Sequence, residues 1–257
     1  MRLLQRTTRK LALTSVGEQY HRHCVAMRED AQAADEAIDA ARREPQGLVR
    51  VACPVTLAQT TIGPMLPQFL ALHPKVRIDL RISNRAVDLI EEGFDIALRV
   101  RTTLDNSGSL VVKHLSRSHG RLYASPAQLA RQGQPPQVED LQAMDTVSMA
   151  AQDGRATWTF IGPQGQSRQV IVQPRYVADD LLTLKFAVMQ GLGLCALPEY
   201  LCDEEIRQGL LVPVLPDWTL PPGLFHAVYP SRRGLIPAVR ALLDFLGERV
   251  AREGWVV

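Results

Sequence analysis

The sequence predicts an α/β protein whose main body is a largely parallel sheet, preceded by a basic hairpin and a long helix. Three observations carry that reading. Glu44-Pro45-Gln46-Gly47 divides the chain into a helical stretch and a region of alternating strands and helices. From Leu48 to Val100 the order is β-α-β-α-β, the pattern of parallel strands joined by crossovers. Near the start, two short β-like runs flank the charged tip Arg6-Thr7-Thr8-Arg9-Lys10.

Taken in order, the hairpin comes first. Residues 1–17 hold Arg2, Arg6, Arg9 and Lys10 and no acid. Such a block suggests an anionic partner, and a hairpin with this tip can lie on a DNA backbone; the plainer alternative is a solvated face. From Thr14 to Arg43 the pattern turns helical. Thr14 or Ser15 can cap it, and Ser15 with Glu18 fits a capping box. Val16, Tyr20, Cys24 and Met27 open an apolar stripe that continues through Ala31, Ala34, Ile38 and Ala41. Its steps of three and four approach the coiled-coil period, over a length of about 43 Å at 1.5 Å per residue. One helix cannot bury that stripe alone. A partner helix from a second copy is expected; the alternative is packing along its own domain.

After the break, Leu48–Cys53 reads as a strand and Pro54-Val55-Thr56 leads into a helix ending near Leu72. Val76–Ser83 alternates as a strand, Val87–Glu92 reads as a short helix stopped by Gly93, and Phe94–Val100 as another strand. Leu110–Leu115 and Leu122–Ala124 are strands, and Pro126 opens a helix. Thr146–Met149 is a strand, and Trp158–Ile161 with Val170–Val172 forms a hairpin around Gly162-Pro163-Gln164-Gly165. Asp179 or Asp180 caps a helix that closes at Gly191. Cys195–Leu197, Leu210–Val214 and Phe225–Tyr229 are strands, with a helix over Glu199–Gln208. Pro237–Val250 is an amphipathic helix with Val239, Leu242, Leu243, Leu246 and Val250 on one face.

Composition bounds the function. The chain has 257 residues, 46% hydrophobic and 22% charged, enough for two lobes with a sizeable core. Cys24, Cys53, Cys195 and Cys202 form no Cys-x-x-Cys pair and have no His at metal-ligand spacing, so they read as reduced thiols and no metal is expected. No apolar run approaches the ~18 residues of a membrane span, and no signal peptide is read at the start, so a cytoplasmic protein with no membrane partner is expected. No Gly-x-Ser-x-Gly, P-loop or His-Glu-x-x-His occurs. Gly191-Leu192-Gly193 lacks the third glycine of a dinucleotide fingerprint, so no cofactor and no enzymatic activity are expected.

These residues together resemble a LysR-type transcriptional regulator. Leu3–Gly17, with its Arg-Thr-Thr-Arg and Leu-Thr-x-x-Gly elements, looks like that family's wing and the start of its linker helix. Phe94-Asp95-Ile96-Ala97-Leu98-Arg99, Tyr123-Ala124-Ser125-Pro126 and Gln190-Gly191-Leu192-Gly193-Leu194-Cys195-Ala196-Leu197-Pro198 look like three segments of its effector domain. The resemblance runs from end to end. It implies a winged helix-turn-helix remnant at 1–14 and a linker or dimerisation helix at 15–44. It then implies a two-lobe, type 2 periplasmic-binding-protein-like effector domain, with lobe I at 48–117 and 231–257 and lobe II at 118–230.

It also implies partners: DNA, a small-molecule effector, and further copies of the chain in a dimer or tetramer. Arg6, Arg9 and Lys10 would contact phosphates. The family's recognition helix lies upstream of its wing, and residues 1–257 offer no candidate for it, so weak, salt-sensitive, non-specific DNA binding is expected. The effector would sit between the lobes. Pro54, Val55 and Thr56 would offer it helix N–H groups, Arg101 and Thr102 a cation and a hydroxyl, and Ser148 and Asp180 the facing wall. That set favours a small organic anion. Several members have a plainer alternative: Thr56 and Asp180 as helix caps, and Arg101 as a solvated residue or a partner of Asp95; Trp158 and Phe160, outside that set, read as hairpin core before ligand platform. A stand-alone solute-binding protein of the same fold is the competing function, and an enzyme such as a dehydratase a more distant one.

Overall fold

The computed structural model describes residues 3–6, 11–27, 44–103, 110–230 and 235–252. Strands β1 (Leu4–Arg6) and β2 (Leu11–Leu13) pair antiparallel, with Leu4 opposite Leu13 and Arg6 opposite Leu11. The segment expected to be a wing is thus a hairpin. Arg9, Lys10 and the Arg6 side chain, expected on phosphates, lie outside the described residues. Helix α1 follows over residues 15–27, and the rest of the expected linker, 28–43, is also outside them. Thr14, rather than Ser15, is the cap: its Oγ1 accepts from the Gly17 N–H at 3.0 Å. The Thr14 N–H donates to the Leu3 carbonyl at 3.0 Å. That carbonyl passes so close to α1 that a Cβ at Gly17 would stand 1.9 Å from it. Thr14 and Gly17 together therefore fix the hairpin against the helix.

Beyond Gly47 the chain builds a five-stranded sheet, in the order β4-β3-β5-β14-β6. β3 (Gly47–Cys53) is parallel to β4 (Val76–Ile82) and to β5 (Ile96–Arg101). β14 (Gly223–Pro230) runs antiparallel to both β5 and β6 (Leu110–Ser118), so the sheet is mixed where the sequence suggested mostly parallel strands. The β3–β4 crossover is a continuous helix: α2 (Val55–Leu57), a π-helical turn (Ala58–Ile62) and α3 (Gly63–Leu72). The π turn has a local cause. Pro64 carries no N–H, and its ring displaces the carbonyl four residues earlier. The Gly63 N–H reaches back to Ala58 O, where a Cβ on residue 63 would lie 2.5 Å away. The expected helix at 87–92 is a turn: the Asp88 carboxylate takes the amides of Ile90 and Glu91 and the chain does not continue helically.

α3 and α7 (Pro237–Arg252) cover one face of this sheet. Val49, Val51, Phe69, Phe225, Leu242 and Leu246 are all within 1% of full burial there. Each contributes about 1.5–3 kcal/mol on leaving water. The other face holds a smaller cluster of Ala52, Leu89, Ala97 and Val228, narrow enough for the 84–94 turn to lie directly on it.

The second lobe centres on β7 (Gly120–Ala124), antiparallel to β12 (Cys195–Pro198) and β13 (Val212–Val214) on its two sides. β8 (Val147–Ser148) joins through a parallel Thr146–Leu194 bridge and pairs outward with β11 (Tyr176–Val177). β9 (Ala156–Ile161) and β10 (Ser167–Val172) form the expected hairpin. α4 (Pro126–Gln132) is capped by Ser125, whose Oγ accepts from Gln128 N at 3.2 Å. α5 (Leu181–Met189) is capped by Asp180, and α6 (Asp203–Arg207) follows a 3₁₀ turn at Glu199–Leu201. Leu122, Trp158 and Phe160 are buried on one face of this lobe, and Tyr123, Val147 and Leu184 on the other.

β14 falls inside the 118–230 range expected for the second lobe, yet it hydrogen-bonds between β5 and β6 of the first lobe's sheet. The chain crosses between lobes at 118–120 and again at 220–223. The two crossings run side by side: Leu220 N donates to Gly120 O at 2.9 Å, and Gly223 registers with Ser118.

Candidate functional site

The helix over 55–72 points its N-terminus away from the first lobe's sheet, at the carboxyl end of β3. Its first amides have no acceptor within the helix. Val55 N–H is taken by the side chain of Asn84, which follows β4, at 3.0 Å. The Thr56 hydroxyl donates across to Oδ1 of Asp180 at 3.3 Å. Oδ2 of the same carboxylate accepts from the Thr183 amide at 2.9 Å and the Thr183 hydroxyl at 2.7 Å. Asp180 therefore stands where two helices begin, one from each lobe, and both helix dipoles favour its charge. Burial raises its pKa, but the hydrogen bonds from Thr183, Thr56 and Leu182 outweigh that and hold the carboxyl below its ordinary value.

Two further bonds cross the same gap. Asn84 Nδ2 donates to the carbonyl of Asp179, so one amide side chain spans both lobes. Tyr200, just beyond β12, hydrogen-bonds the side chain of Thr60 on the π turn, and burial pushes its phenol well up. Thr60 in turn donates to Thr56 O at 2.8 Å.

The expected site residues divide. Pro54, Val55, Thr56 and Asp180 come together at this junction. Arg101 is exposed at the end of β5, its Nη1 3.2 Å from the Val100 carbonyl. It does not pair with Asp95, whose carboxylate instead accepts from Arg50 N at 2.8 Å. Arg101 shares with Pro54 and Asn84 a narrow cavity of ≈ 30 Å³ beside the helix start. Thr102 is exposed in the bend after β5. Ser148 is buried, and its hydroxyl serves the lobe itself: it donates to Ala150 O at 3.1 Å and accepts from Trp158 Nε1 at 3.4 Å. Asn84, Thr60 and Tyr200 were not read from sequence. Only Asn84 carried a signal, its place at the carboxyl end of a parallel strand, where open α/β sheets bind ligands.

The cysteines near this region are inert. Burial pushes the thiols of Cys53, Cys195 and Cys202 to about 12, so none is a thiolate near neutral pH. Among the described residues, no group of His, Cys, Asp and Glu could hold a metal ion, and no helix is long and apolar enough to cross a membrane.

A hairpin, a helix behind it and two α/β lobes meeting at a polar junction are the parts expected of a ligand-controlled regulator. A family model described as the LysR substrate binding domain matches residues 42–251. The chain belongs to this family. A relative from Xanthomonas campestris pv. campestris, named HTH-type transcriptional regulator, is 33% identical over 97% of this chain and 73% of its own length. The regulator CrgA of Neisseria meningitidis serogroup C is 33% identical, over 96% of this chain and 82% of its own. Among solved structures, full-length Vibrio cholerae virulence activator AphB superposes with TM-score 0.70 at 28% identity, covering 96% of this chain and 83% of that one. CrgA from Neisseria meningitidis gives 0.70 at 30% identity, covering 97% and 84%. The two lobes are thus a LysR-type effector-binding domain, and the relatives are named as transcriptional regulators.

Proposed function

We propose that this chain is the sensing and pairing part of a LysR-type regulator, and that its effector is a small organic anion bound where the two lobes meet. One observation carries the proposal: a carboxylate already sits there. Asp180 takes the Thr56 hydroxyl at the N-terminus of the 55–72 helix, so an incoming carboxylate finds a hydroxyl and first-turn amides suited to its charge. It would compete with Asp180 for them. Exchange of an internal for an external carboxylate breaks a bond between the lobes, and that couples ligand binding to their angle. Pro54, Val55 and Thr56 form the head-group side; Arg101 and Thr102, at the mouth, attract the anion from solvent. Ser148 supports the second lobe's wall.

Pairing uses α1, whose Val16, Tyr20 and Met27 side chains stand exposed; an apolar helix stripe of this kind is buried by a second copy. The regulator acts on DNA in the cytoplasm as a homo-oligomer. Residues 1–257 alone hold DNA through the basic wing, by phosphate contact. Fluorescence anisotropy with two unrelated duplexes should show similar, weak affinities that fall steeply with salt. One duplex bound more than about 100-fold tighter than the other would contradict this.

The effector is tested by titration calorimetry with a panel of small mono- and dicarboxylates. At least one should bind, and Thr56→Val should weaken it about tenfold. Equal affinity for wild type and variant would remove the junction as the binding site.

A further inference from the structure

The second lobe contains a cavity that the inter-lobe junction does not use. It measures ≈ 490 Å³ and lies between the end of β8, the start of β9 and β12. Its size is that of a small-ligand pocket. None of the junction residues lines it; Ser148 alone of the expected effector residues does.

The lining explains why the space exists. Ala150, Ala151, Ala156 and Ala196 supply only methyl groups, so neighbouring strands meet without filling the gap. Trp158 closes it from the β9 side, 7% exposed, with its indole N–H on the Ser148 hydroxyl and its ring edge-on to Phe160. That ring is pinned by both contacts. A slot with methyl walls and a fixed indole takes a flat apolar group.

The rim carries a charge. Arg155 lines the cavity and makes no ion pair with a described residue. Its backbone is set by a tight turn, while its side chain is exposed. Gln152 and Arg155 exchange amide bonds at 2.8 and 2.9 Å around Asp153-Gly154, which have φ of 51° and 73°. Positive φ at both central residues is the tight hairpin turn that Asp-Gly favours. An Arg at the mouth of an apolar slot can take a carboxylate bidentately.

We propose that this slot is a second ligand site, specific for a small aromatic monocarboxylate, its ring against Trp158 and the alanine methyls and its carboxylate on Arg155. The site is separate from the inter-lobe junction, and its test separates the two. Naphthalene-2-carboxylate is titrated into the full 257-residue chain, with binding read by saturation-transfer NMR. Wild type should bind it. The neutral naphthalene-2-carboxamide should bind about tenfold more weakly, and Arg155→Gln should erase the difference between the two. Ala196→Leu, which fills the slot, should abolish binding, while Thr56→Val leaves it unchanged. If Ala196→Leu lowers the melting temperature enough to confuse the result, Ala150→Leu at an exposed position replaces it. The proposal is overturned if wild type does not bind the probe, if carboxylate and carboxamide bind alike, or if both filled variants still bind. It is overturned equally if Thr56→Val abolishes binding, which would place the probe at the junction.

Discussion

Asp180 caps α5 and also accepts the Thr56 hydroxyl from the other lobe. Because its folded pKa lies below the ordinary value of 3.8, the charged form stabilises the fold. That stabilisation is complete above the ordinary value and is lost as pH falls through the folded one. Urea midpoints of wild type should therefore drop more steeply below about pH 4 than those of Asp180→Asn. Near neutral pH, Asp180→Ala should cost about 1 kcal/mol through the cap alone. Thr146 presents the opposite case. Its Oγ1 is buried without a hydrogen-bond partner among the described residues. Thr146→Val should raise stability by about 1 kcal/mol in urea unfolding, since it deletes a hydroxyl whose desolvation nothing offsets. At this scale the sequence was half legible. Asp180 could be read as a helix cap, since capping is local, whereas the same reading of Thr56 is corrected: Pro54 is the N-cap there and Thr56 lies within the helix. That the two touch is a contact between residues 124 positions apart, and no local pattern encodes it. Ser148 was expected to face the effector, but its hydroxyl bonds within its own lobe.

Elements were mostly readable wherever their cause lies within a few residues. The terminal helix fits its apolar spacing, and the β9–β10 hairpin its turn residues. The 87–92 segment failed as a helix because Asp88 bonds the amides two and three residues on and closes a turn. The π turn was not foreseen, although Gly63-Pro64 contains its cause. Gly63→Ala should destabilise the chain by about 1–3 kcal/mol, because the new methyl meets the Ala58 carbonyl at 2.5 Å. Since Thr60 rides on that turn and meets Tyr200, the same variant should also loosen the junction, visible as faster hydrogen exchange at 55–62. Asp153-Gly154, a plain hairpin signal, passed unread between two longer strands.

For the molecule as a whole, the division into lobes rests on long-range pairing. β14 inserts between β5 and β6, more than a hundred residues upstream, and only that pairing returns the chain to the first lobe. Periodicity marks β14 as a strand but carries no address for it. The lobes are then tied by two adjacent crossings and by the bonds at Thr56, Asn84 and Thr60. Such a joint is bistable when a ligand can replace one of its bonds. Asn84→Ala removes a bridge without touching either core, and small-angle scattering should show a larger radius of gyration without a change in fold. In the proposed exchange the effector enters at Thr56 and displaces Asp180. A crystal structure with the tightest-binding carboxylate of the panel tests it most directly. The expected result is a ligand carboxylate hydrogen-bonded to Thr56 Oγ1, with Asp180 retained only by Thr183. Ligand density away from the 55–72 helix start, with the Thr56–Asp180 bond intact, would contradict it.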